Sequence, residues 1–174
     1  MKTIKINALL LLMTLCFHFS YAQESNLAKE AMPAVDYAMP FLSHTVVEAA
    51  KQMPEEHYSF RPTPEVRSFG ELMAHIAEAN YEMVAIAKGD TAPVEKVTPT
   101  KAEIVKALEA SYDYAVKARK TMTEEQKSKS VKFMGGTKTA ENVLDFQVFH
   151  SLLHYGNAVV YLRMKGLVPP SSQQ

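Results

Sequence analysis

A single cysteine stands among 174 residues, and it lies in a segment whose pattern marks it for removal. Lys2 and Lys5 give a positive start, and residues 8–19 are nearly all apolar, broken only by Thr14 and His18. Ser20-Tyr21-Ala22 then puts small residues three and one positions before a cut ahead of Gln23. That is the layout of a secretory signal peptide over residues 1–22. The apolar run falls short of the ~20 residues that cross a bilayer, so cleavage is expected rather than a retained anchor. Bulky Leu15 in front of Cys16 speaks against a lipoprotein. Residues 23–174 then form one domain, expected outside the cytoplasm, periplasmic or secreted. With Cys16 gone, that domain has neither thiol nor disulfide, and an oxidising compartment is tolerated without being exploited.

Charge of one sign is missing too. The chain carries 19 Lys and Arg against 19 Asp and Glu, and no basic run. A near-neutral surface without a cationic patch excludes nucleic acid as the expected partner. No apolar run of membrane length follows the leader, so no stable membrane anchor is expected. Strand-like alternation of useful length, internal repeats and low-complexity tracts are absent as well.

What remains is helical periodicity in four segments. The first spans residues 26–53, with Val35, Met39, Leu42, Val46, Ala50 and Met53 three or four apart. Pro33 and Pro40 predict a start near the former or a kink at the latter. The second opens on a capping box, Ser68-Phe-Gly-Glu71, presents Leu72, His75, Ile76, Ala79, Met83 and Ile86 on one face, and closes at Gly89. The third opens on Thr100-Lys-Ala-Glu103 and ends near Met122. Thr123-Glu-Glu-Gln126 starts a short helical turn, and residues 131–137, with Gly135-Gly136, read as a mobile loop or turn. The fourth begins near Thr139 and is apolar almost all round, which suggests a central position. Lys165-Gly166 and Pro169-Pro170 stop it. Four helices of about 20 residues predict an all-α four-helix bundle.

His150 and His154 lie on that last helix. Residues four apart project from the same side, so two imidazoles there can share one metal ion. Two ligands are too few, and His75, inside the apolar stripe of the second helix, is the candidate for a third. A lone histidine on an apolar face is more often a hydrogen-bonded core residue. Three on inward faces of two helices are harder to read that way, because bundle cores build metal sites from facing helices. His44 on the first helix and His57 in the following loop match no such pattern, and a core or surface role is expected for the one and exposure for the other. Arg67 and Glu71 are assigned to capping and surface pairing. Glu78, one turn from His75, points partly aside.

Phe69-Gly-Glu-Leu-Met-Ala-His75-Ile-Ala, then His150-x3-His154-Tyr155-Gly156-Asn157, then Tyr161-Leu162-Arg163-Met-Lys-Gly166 and Pro169-Pro170, resemble the DinB/YfiT-like superfamily. The likeness runs over nearly all of residues 23–174, including Arg61-Pro62-Thr63. It implies a four-helix bundle of that type, with a divalent metal held by His75, His150 and His154. Zinc or nickel heads the list of metals, followed by iron or manganese. It also implies relatives that act as thiol-dependent transferases and isomerases, and chains that pair as homodimers. Those thiol chemistries are cytoplasmic, whereas the leader implies export. Three neutral imidazoles leave a ligand position open, as in catalytic rather than closed sites. The readings carried forward are a metal-dependent hydrolase or transferase of unknown small-molecule substrate, a non-catalytic metal- or ligand-binding bundle, and a helical interaction module with core histidines. Histidine ligation predicts metal affinity that falls as pH drops through ~6.5. The role of Tyr155 stays open.

Overall fold

A computed structural model of the chain describes residues 34–173. The signal-peptide reading of residues 1–22 lies outside the described residues. The chain divides into two units, Met1–Tyr37 and Ala38–Gln174, and of the first only the opening turn of helix α1 is described.

Four long helices make up the fold: α1 (Ala34–Gln52), α2 (Phe69–Lys88), α3 (Lys101–Thr121) and α5 (Ala140–Met164). A short α4 (Glu124–Ser128) and a hairpin, β1 (Ser130–Phe133) and β2 (Gly136–Thr139), join α3 to α5. The expected all-α bundle is therefore the architecture, with one small sheet added. No helix of the described residues is long and apolar enough to cross a membrane.

The ends of the helices follow from their caps. Ser68 accepts from the Glu71 amide while the Glu71 carboxylate accepts from the Ser68 amide at 2.7 Å, so both halves of the box are made. Gly89 closes α2 with φ 74°, a left-handed conformation that glycine adopts without a Cβ penalty. At Thr100 the threonine half of the expected box is formed, on the Glu103 amide. Thr123 with Gln126 makes a complete box for the short α4. Thr139 caps α5, and Gly166 turns the chain away at φ 72°. Pro40 stays inside α1, whose Ser43 hydroxyl donates to the Pro40 carbonyl at 3.0 Å.

Two expectations need correction. The first concerns which helix is central. The core helix is α2, which packs on both α3 and α5 and buries Phe69, Met73, Ile76, Ala77, Val84 and Ala85 all round its circumference. Helix α5 is apolar on its outer side instead: Phe149 is 59% and Leu153 63% exposed, and Leu152 and Val160 share that side. An all-round apolar sequence therefore marks a buried face plus an uncovered one. The second concerns residues 131–137. They form an ordered antiparallel hairpin, with Ser130 opposite Thr139 and Phe133 opposite Gly136. Met134 and Gly135 both take positive φ, 48° and 75°, as a two-residue primed turn demands. Phe133 packs on Phe146 of α5 with ring centroids 5.4 Å apart, and this contact seats the hairpin.

The segment between α1 and α2 is tied to α2 by its main chain. Phe69 donates to the Phe60 carbonyl at 2.9 Å and Gly70 to the Tyr58 carbonyl at 2.8 Å. A Cβ on Gly70 would stand 3.1 Å from the Tyr58 ring and 3.2 Å from its carbonyl, so the close approach needs glycine. The Tyr58 hydroxyl reaches back to the Ala50 carbonyl at 2.6 Å, and its ring stands edge-on to Phe69. The loop carrying residues 61–67 is thereby fixed at the start of α2.

Candidate metal centre

The helical repeat decides how the three histidines meet. Along α5, Gln147, Ser151, Tyr155, Ala158 and Leu162 turn into the core, while Phe149, Leu153, Gly156 and Val160 turn out. His150 and His154 occupy the boundary between these sides and are both half-buried. His75 holds the equivalent boundary on α2, two turns after the Ser68 cap, and is half-buried as well. Because α2 and α5 pack together, the boundaries coincide.

The Nε2 atoms converge. That of His150 lies 3.2 Å from that of His75 and 3.1 Å from that of His154. The three rings stand edge to face, and one ligand atom from each falls within 4.8 Å of the others. Two imidazole nitrogens each ~2.0–2.1 Å from one ion are separated by roughly 2.9 Å at a right angle and roughly 3.3 Å at the tetrahedral angle. The observed separations fall between these limits, so the donor set fits a divalent ion held on one face. Hydrogen bonding alone serves the cluster poorly. A neutral imidazole carries one N–H, and His150 Nε2 cannot point one at both neighbours.

The far sides of the rings support the same tautomer. With Nε2 turned inward, each Nδ1 carries the proton. The His154 Nδ1 stands 3.5 Å from the Asn157 side-chain amide, whose two ends are interchangeable by a flip, so the oxygen can accept that proton. His150 Nδ1 is buried with no hydrogen-bond partner among the described residues.

All three imidazoles are held neutral. Burial is the first cause for each. Together with His154, His75 and Arg67 it lowers His150 to about 4, and together with His75 and Arg67 it lowers His154 to about 4. His75 is lowered by burial and then by Arg67, while Glu78 and Glu82 pull it back up. Neutral rings are what ligation requires. The lowering also moves the expected acid limit of metal affinity below ~6.5.

Three clefts open on the cluster, one of them, of about 350 Å³, lined by His75, Glu78, Glu82 and Glu95 among others. Another, of about 940 Å³, is lined by His75, Arg61, Arg67, Glu71, Glu78 and Lys96 among others. The third, of about 700 Å³, includes His154, Asn157, Tyr161, Leu72 and again Arg67. Glu71 caps and pairs as expected, meeting Arg61 at 3.1 Å. Glu78 is engaged elsewhere: its Oε1 accepts the Val97 amide at 2.9 Å and faces Lys96 at 3.5 Å. Arg67 differs from expectation, since its guanidinium makes no ion pair or hydrogen bond among the described residues and lowers all three histidines instead. Its position directly before the Ser68 cap, two turns from His75, was the signal for this. His44 is exposed on α1, and His57, expected to be exposed, is half-buried at the end of a 3-10 turn (Glu55–His57). Neither joins the cluster. Tyr155 faces away from it, accepting the Ser171 amide at 2.9 Å and standing edge-on to Phe41. Its role is to dock the C-terminal segment on the bundle.

A buried polar network lies beneath the histidines and was legible only as separate residues. The Gln147 amide donates to Asn80 Oδ1 at 2.7 Å, Ser151 donates to the same oxygen at 3.2 Å, and Asn80 donates to Ser111 at 3.1 Å. It joins α2, α3 and α5 directly below His150.

Comparison with known proteins agrees with this picture. The DinB superfamily matches over residues 42–158. The uncharacterized protein YjoA of Bacillus subtilis is 28% identical over 133 residues, covering 72% of this chain and 86% of that protein. The crystal structure of the DinB-like YjoA superposes with a TM-score of 0.67 at 23% identity, over 82% of this chain and 99% of the other. A DinB-like protein from Bacillus cereus gives a TM-score of 0.67 at 17% identity, over 78% and 93% of the two chains. A DinB family member from Exiguobacterium sibiricum gives 0.61 at 23%, over 76% and 90%. With His75 and the His150–His154 pair both inside the matched span, the chain belongs to the DinB superfamily.

Proposed function

We propose that the protein binds one divalent metal ion through His75, His150 and His154, and that it is a metal-dependent hydrolase or transferase acting on a small molecule outside the cytoplasm. The observation that carries this reading is the convergence of His75 and His154 on His150, whose Nε2 stands 3.2 Å from the one and 3.1 Å from the other, on rings held neutral. Zinc suits three nitrogens and an open position, and nickel, iron or manganese accept the same donors. A divalent ion there would supply Lewis acidity, lowering the pKa of bound water towards ~7 or holding a thiolate ready for attack.

The chain's own groups define the rest. The half-buried rings leave one side of the cluster facing the three clefts, so a ligand can reach it. Asn157 orients His154, and the packing of α2 on α5 fixes the angle between His75 and the pair. Glu78 is spent on Val97 and Lys96, while Glu82 shares a further cleft of about 350 Å³ with His75. Location outside the cytoplasm rests on the sequence of residues 1–22 alone. The uncovered apolar side of α5 would suit a second copy of the chain.

Elemental analysis of the purified protein tests the reading. One equivalent of zinc, nickel, iron or manganese per chain, lost in His75→Ala and His150→Ala, is expected. No metal above background after supply of each ion would refute it. Metal without accelerated turnover across ester, amide and thiol-conjugate panels would leave the non-catalytic binding bundle as the function.

A further inference from the structure

We propose that Gln147 is a positioning residue for the histidine cluster: its side-chain oxygen takes the Nδ1 proton of His150 and so leaves the Nε2 of that ring bare for a metal ion. The proposal rests on the metal-binding reading above and adds the residue that sets the ring which both other histidines face.

Two buried groups of opposite kind stand without a partner on one helix. His150 Nδ1 is sealed from solvent and has no hydrogen-bond partner, and Gln147 Oε1 is in the same position. Gln147 is fully buried on the core side of α5, one turn before His150. Residues three apart on a helix are neighbours. The Gln147 carboxamide reaches forward along α5, its Nε2 standing 3.3 Å from the Ser151 hydroxyl. Side chains on a helix lean back over the preceding turn, which carries the His150 ring towards the level of that carboxamide. A turn of the Gln147 side-chain torsions then joins an N–H donor to a carbonyl acceptor that solvent does not reach.

The polar network beneath fixes which end of Gln147 is left for His150. The Ser111 hydroxyl donates to the Leu108 carbonyl at 2.9 Å, and a carbonyl can only accept. Its one proton thus spent, Ser111 must accept from Asn80 Nδ2, at 3.1 Å. Asn80 therefore turns Oδ1 to α5, where Gln147 Nε2 donates to it at 2.7 Å. A flipped Gln147 would set oxygen against oxygen. Every bond from Leu108 onward has one allowed direction, and the chain ends in an oxygen that needs a donor.

Neutral His150 has one proton to place. On its Nε2 side His75, at 3.2 Å, and His154, at 3.1 Å, compete to accept it. A proton there would block the atom that has to ligate. An acceptor at Nδ1 draws the proton to the far side, and such a bond both orients a ligating imidazole and makes it more basic. Asn157 serves His154 on the exposed side, and Gln147 serves His150 on the buried one.

The test first reads the metal-free protein by NMR with ¹⁵N-labelled histidine. Wild-type His150 is expected as the Nδ1–H tautomer. Gln147→Met, similar in length but without an acceptor, should move the proton to Nε2 and weaken Zn²⁺ about tenfold in chelator competition. Gln147→Glu keeps an oxygen beside the ring and should recover the affinity. Tyr112→Phe removes another unpartnered buried hydroxyl, on α3, and should leave both readings unchanged. Wild-type His150 protonated at Nε2, or a Gln147→Met variant with unchanged tautomer and affinity, overturns the proposal. So does a loss in Gln147→Glu or Tyr112→Phe as large as that in Gln147→Met, which would mean that packing and not the acceptor matters. A wild-type protein that takes up no Zn²⁺ refutes the metal reading, whereas the tautomer, read without metal, judges Gln147 by itself.

Discussion

His75 and His150 are separated by 75 positions in the chain, yet their Nε2 atoms stand 3.2 Å apart. Neither helix alone can hold a metal firmly: α5 offers two nitrogens and α2 one. Removing His150, whose Nε2 contacts both others, is therefore expected to abolish stoichiometric metal binding. Removing His75 leaves a two-nitrogen site and should weaken affinity by at least a hundredfold. Competition with a chromophoric chelator measures both. Retention of full affinity by His75→Ala would mean that α5 recruits its third ligand elsewhere.

Acid dependence follows from the depressed imidazoles. In the unfolded chain a histidine titrates near ~6.5, whereas folded His150 and His154 titrate at about 4. Between those values the unfolded state binds more protons, so the stability of the metal-free protein rises with pH across the window. It is fully present above about 6.5 and is lost as pH falls towards 4. Urea midpoints of the metal-free protein should therefore drop between pH 7 and pH 5, and a His150→Gln, His154→Gln double variant should drop less. Metal affinity follows the folded values, so it should persist at pH 6 and decline nearer 4 to 5. A sharp loss of metal at 6.5 would place the ligands in an environment more like water than this one.

The capping box at α2 carries a prediction that bears on the site as well as on stability. Ser68 holds the first turn, and Arg67 precedes it directly. Ser68→Ala is expected to cost about 1 kcal/mol in unfolding free energy. Gly89, at φ 74°, is the opposite end of the same helix, and alanine there should cost a comparable amount through strain rather than a lost bond. Chemical denaturation distinguishes the pair from neutral surface changes, which stay within about 0.5 kcal/mol.

Much of this was legible in the residues. Ser68, Thr100, Thr123 and Thr139 start their helices where the side chains can take an orphan amide, and Gly89 and Gly166 end them where a left-handed residue is needed. The pairing of His150 with His154 is a consequence of the helical repeat. The hairpin escaped because four-residue strands are too short to show alternation, and because Met134-Gly135 lacks the asparagine or aspartate that marks such turns. The place of α5 escaped for another reason. Periodicity reports how many faces are apolar, not how many are covered, and Phe149 and Leu153 read the same way inside a core or outside it. Arg67 was misplaced because a position beside a helix cap does not by itself bring a carboxylate to the guanidinium.

Asn80 is the residue on which three helices depend. It is fully buried on α2, and its oxygen accepts from Gln147 and Ser151 of α5 while its nitrogen donates to Ser111 of α3. Burial beside the network pushes the Tyr112 hydroxyl up to about 12, so every member stays uncharged. Replacing Asn80 by alanine removes three bonds, leaves Gln147 and Ser151 only each other at 3.3 Å, and opens a void. The expected cost is about 2–4 kcal/mol. Thermal unfolding should fall by about 5–15 °C. Because Gln147 and Ser151 flank His150 on α5, metal affinity should weaken even though no ligand is touched, through loss of the register between α2 and α5. Replacing Asn80 by aspartate keeps the shape but buries a charge, and should destabilise at neutral pH more than alanine does, with recovery as acid protonates it. If Asn80→Ala unfolds at the wild-type temperature, the network is not what sets the two histidine-bearing helices against each other.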